Sequence, residues 1–335
     1  MNKTIKILLS LSIIIIVVLA ITTMNSKEES ISPEKVSVEK TDIKIANLPI
    51  VQGLPIYLAI EKGYFSEAGI NVEIIKFQSP NQIVDALLTG QVDLVSPSGA
   101  MGIIGIANAK NPGKLKIYAA AGGDTIIQND SILIKNNSSI KDLSDLKGKK
   151  IGTLPGIQWR TITKHILSKN NLVDGVDVTI VELAPGSQAP ALASGEIDAL
   201  LGVEPIPTII KLKKIGKELV DKTTTEYVSN PFYGGAGAIT TSFATKNPKT
   251  TKKILSIIKR SINEITNNPD EARQYLKNYT PLNDAAIAEV PISNIKMYDD
   301  FTQNDIGAVQ KFYDIFLEHN VVKEKMNFTE LIYKD

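Results

Sequence analysis

The sequence predicts an α/β fold in two lobes, each a mainly parallel sheet flanked by helices, with a hinge between them. Three observations lead there. Short apolar strands alternate with amphipathic helices through most of the chain, which is the pattern of parallel strands joined by crossovers. The same order, strand, loop, helix, strand, loop, helix, strand, loop, occurs twice, with TGQVDLVSPS and SGEIDALLGVEP as the matching third strands. Each loop that leaves a strand's carboxyl end is rich in Gly, Pro, Ser and Gln, and that edge of an open α/β sheet is where ligands sit.

The chain has 335 residues, enough for a large core and two lobes. It is 43% hydrophobic and 22% charged with a net charge of +1, so nothing favours nucleic acid as a partner. There is no cysteine, which excludes disulfides, thiol chemistry, cysteine metal sites and a lipid-modified cysteine.

At the N-terminus, Lys3 and Lys6 precede an apolar run from Ile7 to Ile21. Residues 1–24 read as a signal peptide or signal-anchor helix, either of which exports the rest of the chain. Residues 25–41 (NSKEESISPEKVSVEKT) are polar and without a period, and read as a flexible linker.

Lobe one is expected over 42–135 and 236–335. Ile43, Ile45 and Leu48 form its first strand, broken by Gln52, Gly53 and Leu54. Pro55 suits a helix start, and Gly63 its stop. Val72–Phe77 is the second strand, Gln82–Leu88 a short helix and Val92–Val95 the third strand. Gly99–Ala109 is a helix, Leu115–Ala119 a fourth strand followed by a loop at Ala121, Gly122 and Gly123, and Ser131–Lys135 a fifth strand.

Lobe two is expected over 136–235. Lys149–Thr153 is a strand, Gln158–Lys169 an amphipathic helix, Val176–Leu183 a strand, Gln188–Ser194 a helix, Ile197–Gly202 a strand and Ile206–Ile215 a helix. Gly234–Phe243 returns to lobe one. Helices at Pro248–Asn267, Asp270–Tyr279 and Asp305–His319 then clasp it, with an extended segment at Ile295–Phe301.

PIYLAIEKGYFSEAGINVEII, ALLTGQVDLV, DLKGKKIGTLPG and ALASGEIDALLGVEP, in this order, resemble the motifs of one family. It is the extracytoplasmic solute-binding proteins of ABC importers for nitrate, sulfonate, taurine and thiamine-precursor pyrimidines. The likeness runs from about Asp42 to Thr245. It implies a type II periplasmic-binding-protein fold, a small anionic or zwitterionic solute in a cleft between lobes, a membrane permease and its ATPase as partners, a monomer, no cofactor and no catalysis. Pyrimidine synthases of the same fold are an alternative, although they carry a cysteine-rich signature that this chain lacks. A sensory binding module is another.

No nucleophile elbow, Walker loop or dinucleotide fingerprint is present. His165 and His319 are the only histidines, and neither has a second ligand at metal spacing in the sequence.

The loops supply the candidate ligand contacts: Gln52 and Gly53 after the first strand, Ser79 and Asn81 after the second, and Ser96, Ser98 and Gly99 after the third. Gly122 and Gly123 offer backbone alone. From lobe two come Gly156, Gln158, Trp159 and Arg160 at a helix start, where unpaired N–H groups attract anions, and Glu204 in an acidic-residue–Pro turn. Trp159, the sole tryptophan, offers a flat wall, and Arg160 a fork of donors for an oxyanion. Arg160 and Glu204 facing the cleft together would suit an aminosulfonate; pairing with each other, they would not.

Overall fold

The structure, a computed structural model, describes residues 41–98 and 100–334. The leader and nearly all of the linker expected from the sequence, and Gly99, lie outside these residues. Among the described residues no helix is long and apolar enough to cross a membrane.

The first strand, β1 (Thr41–Asn47), buries Ile43 and Ile45 and exposes Lys44 between them. Helix α1 (Leu54–Glu61) comes after it with Pro55 in its first turn, and Gly63 beyond its end adopts a φ of +74°. Next come β2 (Ile70–Lys76), α2 (Pro80–Leu88), β3 (Leu94–Val95), α3 (Met101–Lys110) and β4 (Leu115–Gly123). β1 runs parallel to both β2 and β3.

The second half contains β5 (Asp130–Lys135), β6 (Lys150–Thr153), α4 (Ile157–Lys169), β7 (Thr179–Glu182), α5 (Pro185–Ser194), β8 (Ala199–Val203), α6 (Ile206–Leu212) and β9 (Gly216–Asp221). β6 runs parallel to β7 and β8. The chain then returns through β10 (Phe232–Thr240), α7 (Pro248–Asn267), β11 (Asn294–Met297) and α8 (Gln303–Glu318).

Two sheets result, in the orders β11-β4-β10-β3-β1-β2 and β7-β6-β8-β5-β9. Five strands of the first match the five of the second, and β11 is extra. In each, a central parallel strand lies between its two crossover partners, and an antiparallel strand pairs with the third: β10 on β3 and β5 on β8.

The largest change concerns β5. The sequence reading places β5 (SILIK) in lobe one, but the strand pairs antiparallel with β8 and β9 in the second sheet. All of its residues but Lys135 are buried, so its apolar pattern fits either sheet. The crossing comes earlier, over residues 124–129, and the return over 228–231. Gly122 and Gly123, expected in a loop, are the last residues of β4. β9 has no counterpart in the sequence reading, because Gly216, Lys217, Glu218 and Asp221 mask its alternation.

The long helices are packed for the reasons the sequence gives. α7 buries Ile254, Leu255, Ile257, Ile258, Ile262 and Ile265 along one stripe. α8 starts two residues earlier than expected, because Thr302 and Asp305 form a capping box before it. The described residues belong to a single compact unit.

Candidate functional site

The carboxyl ends of the parallel strands of both sheets meet where the halves touch. Gln158, in the first turn of α4, makes the principal connection. Its Oε1 accepts the Gly102 N–H at 2.7 Å, and its Nε2 donates to the Gly234 carbonyl at 2.9 Å. Both partners belong to the first half. Gln158 is fully buried and spends its hydrogen-bonding groups on the other half of the chain rather than leaving them open.

Around it lie the other groups of the seam. Trp159 is 1% exposed, stands edge-on to Phe232 with ring centroids 6.4 Å apart, and abuts Gly234. Gly156, with φ +105°, accommodates the close approach of the Asn81 amide from α2; a Cβ there would strike its Oδ1. Gln52 Nε2 donates to Asn129 Oδ1 at 3.1 Å, which joins the first loop to the crossing segment. Asn129 Oδ1 also accepts the Ser293 hydroxyl at 2.9 Å, and the Asn129 carbonyl accepts the Glu204 N–H at 2.9 Å.

These residues share a property. Gln52 Oε1, Asn81 Oδ1, Asn129 Nδ2, Trp159 Nε1 and Glu204 Oε1 are buried and have no partner at full hydrogen-bond geometry, although the Asn129 side chain also interacts with the Asp130 carboxylate. A buried polar atom left unpaired costs about 1–3 kcal/mol, so five at one seam mark it as the candidate site. Thr153 Oγ1, at the end of β6, and Gln188 Oε1, in the first turn of α5, are in the same state at the same edge of the second sheet.

Glu204 is 1% exposed. Burial pushes its carboxyl up to about 7, against the pull of hydrogen bonds from Thr208, whose N–H reaches Oε2 at 3.3 Å. Near neutral pH the side chain is therefore both an acceptor and, in its protonated form, a donor. Asp130, at the start of β5, is also lifted by burial, to about 6, although Thr224 holds it.

Several residues expected at the site do other work. Arg160 is the largest departure. Its guanidinium bonds Asp174 at 2.8 Å and Glu182 at 3.4 Å, and not Glu204. Successive helix residues point about 100° apart, so burying Trp159 at the seam turns Arg160 outward along the second half. The Ser96 hydroxyl is bonded to Asn47 and Ser98, and Ser98 accepts the Leu48 N–H, so both close a network beneath the loop. Ser79 caps α2 by accepting the Gln82 N–H.

Three of the glycines also have steric reasons of their own. A Cβ on Gly53 would strike the Tyr57 hydroxyl, and on Gly122 or Gly123 it would strike the carbonyls of Phe232 or Ile127. Tyr233 donates to Asp305 at 2.7 Å.

Of the expected contacts, the structure thus gathers Gln52, Asn81, Gly156, Gln158, Trp159 and Glu204. Asn129, Thr153 and Gln188 join them without a sequence signal: Asn129 stands in a segment read as lying inside lobe one, and the other two look like ordinary strand and helix residues.

A family model described as NMT1/THI5 like matches residues 51–272. A Bacillus subtilis protein named for binding aliphatic sulfonates is 26% identical over 299 residues, 87% of this chain and 86% of that one. A 4-amino-5-hydroxymethyl-2-methylpyrimidine phosphate synthase of Saccharomyces cerevisiae is 26% identical over 251 residues, 68% of each chain. Among solved structures, the alkanesulfonate-binding protein SsuA from Xanthomonas axonopodis pv. citri, bound to MOPS, superposes with a TM-score of 0.71 at 17% identity, covering 89% of this chain and 99% of that one. At that identity the likeness speaks to fold.

Proposed function

The chain belongs to the NMT1/THI5-like family, and from that premise we propose that it is the solute-capturing subunit of an ABC importer. The observation that carries this reading is the set of unpartnered buried polar atoms on Gln52, Asn81, Asn129, Trp159 and Glu204, drawn from both halves. Two lobes, 41–123 with 232–334 and 130–227, rotate about the crossings at 124–129 and 228–231 and close on the solute. The closed form docks on a membrane permease driven by a separate ATPase. The protein acts outside the cytoplasm, as a monomer, and performs no chemistry on its cargo.

The groups suit a small solute with two kinds of end. The Trp159 and Asn129 N–H groups suit an oxyanion, and the N-terminus of α4 adds its dipole. Gln52 Oε1 and Glu204 suit an amine or amide. A sulfonate carrying an amino group, of the taurine type, satisfies both. A second reading, an aminopyrimidine, is favoured by the outward placement of Arg160 and by the half-neutral Glu204 beside an indole; it also agrees with the yeast relative.

Isothermal titration of the purified protein with taurine, alkanesulfonates, nitrate and 4-amino-pyrimidines tests both. Heat with a sulfonate supports the first reading. Heat with the pyrimidine alone supports the second. Turnover of a bound pyrimidine would overturn the transport reading.

A further inference from the structure

His165 and His319 are the chain's two histidines, and the fold brings them together from 154 residues apart. His165 lies on α4 of the second half and is 4% exposed. His319 caps the end of α8, which packs on β10 and α3 of the first half and also on α4 itself. His165 Nδ1 stands 3.2 Å from His319 Nε2, with the rings edge-on at 78°. Glu318, half exposed, brings Oε2 to 3.7 Å from the same Nδ1. One ligand atom from each of the three lies within 4.8 Å of the other two.

We propose that His165, His319 and Glu318 form a binding site for a divalent transition metal of the Zn2+ class, and that the ion fastens the second half to the C-terminal helix. The donor set of two imidazoles and one carboxylate is one that Zn2+ takes, with a fourth position left to water. The spacing agrees. A tetrahedral ion with Zn–N of about 2.0–2.1 Å sets its two nitrogens about 3.3 Å apart, close to the observed separation. The carboxylate oxygen stands 3.7 Å from His165 Nδ1 and within 4.8 Å of both imidazoles, so a rotamer adjustment of the half-exposed Glu318 side chain must bring it in.

Two further features bear on the site. His165 also hydrogen-bonds the Tyr227 backbone; a proton kept on that side of the ring leaves Nδ1 with its lone pair, the orienting role that outer groups play at metal sites. Opposing this, Lys164 and Lys169 lie nearby, and Lys169 Nζ approaches Glu318 Oε1 at 3.6 Å. These cations weaken the site relative to an enclosed one. The competing arrangement is a plain imidazole–imidazole hydrogen bond, which needs no ion. The proposal does not depend on what the cleft binds.

The test is titration of the untagged full chain with Co2+ and Zn2+, read by visible absorption and by competition with a chromophoric chelator. One equivalent of Co2+ is expected, with the intense visible band of a tetrahedral site, displaced by Zn2+. His319→Gln and Glu318→Gln, at exposed or half-exposed positions, each lower Zn2+ affinity at least tenfold, leaving the metal-free thermal midpoint within about 2 °C of wild type. His165→Gln abolishes binding. Added Zn2+ raises the midpoint of wild type and not of His319→Gln. No binding by wild type at tens of micromolar Zn2+, or unchanged affinity in His319→Gln, overturns the proposal.

Discussion

The Gln158 side-chain carbonyl accepts the Gly102 backbone N–H at 2.7 Å, from one half of the molecule to the other. With the second bond to Gly234, one amide holds the end of α3 and the edge of β10 against α4. Gln158→Ala removes two buried hydrogen bonds and leaves the Gly102 N–H and the Gly234 carbonyl unpaired. We expect a loss of about 2–4 kcal/mol in denaturant unfolding and a larger radius of gyration by small-angle scattering without ligand. An unchanged radius would show that the halves stay closed without this amide.

Trp159 reports on the cleft because the chain has no other tryptophan. Its emission is expected to shift when the solute binds, as the unpartnered Nε1 gains an acceptor. Trp159→Phe keeps the ring against Phe232 and removes the donor, so affinity falls about tenfold with little change in stability. Titration calorimetry of the variant checks the affinity and thermal melting checks the fold.

Glu204 predicts a pH dependence with a definite sign. Its carboxyl titrates near 7 when folded, against an ordinary value near 4.5. Folding is therefore least penalised below the ordinary value, and stability is lost as pH rises from about 4.5 to about 7. Glu204→Gln removes that penalty. The melting temperature of the variant relative to wild type should rise between pH 5 and pH 8; a constant difference would mean that Glu204 stays charged.

Arg160→Ala separates the outward guanidinium from the cleft. Its partners Asp174 and Glu182 lie on the second half, and the pair with Glu182 is partly solvated, so stability falls by about 1 kcal/mol. Solute affinity should change less than threefold by calorimetry. A loss of tenfold or more would return Arg160 to the binding site.

The fold was legible from the sequence because its signals are local. Pro55, Gly63 and the isoleucine stripe of α7 each dictate an element without help from afar. Sheet membership is not local: SILIK reads the same whichever sheet receives it, and only its pairing with β8 decides. The site was half legible for a similar reason. Loops at strand ends could be located, which put Gln52, Asn81 and Trp159 at the seam, but the rotation of α4 that separates Trp159 from Arg160 depends on what the helix buries. The two histidines show the limit most plainly, since nothing in the sequence spacing brings α4 to the end of α8.

The exchange of β5 and β10 between otherwise matching sheets sets an order of assembly. The second half is one unbroken stretch of chain and holds every strand of its own sheet. The first half is not: β10 must slot between β3 and β4, and it emerges only after the whole second half has been made. During synthesis the leading segment therefore waits with an open gap in its sheet, while the later-emerging half is the first that has all its parts. Limited proteolysis of nascent chains halted before Phe232 should find that second half protected and the leading one still digestible.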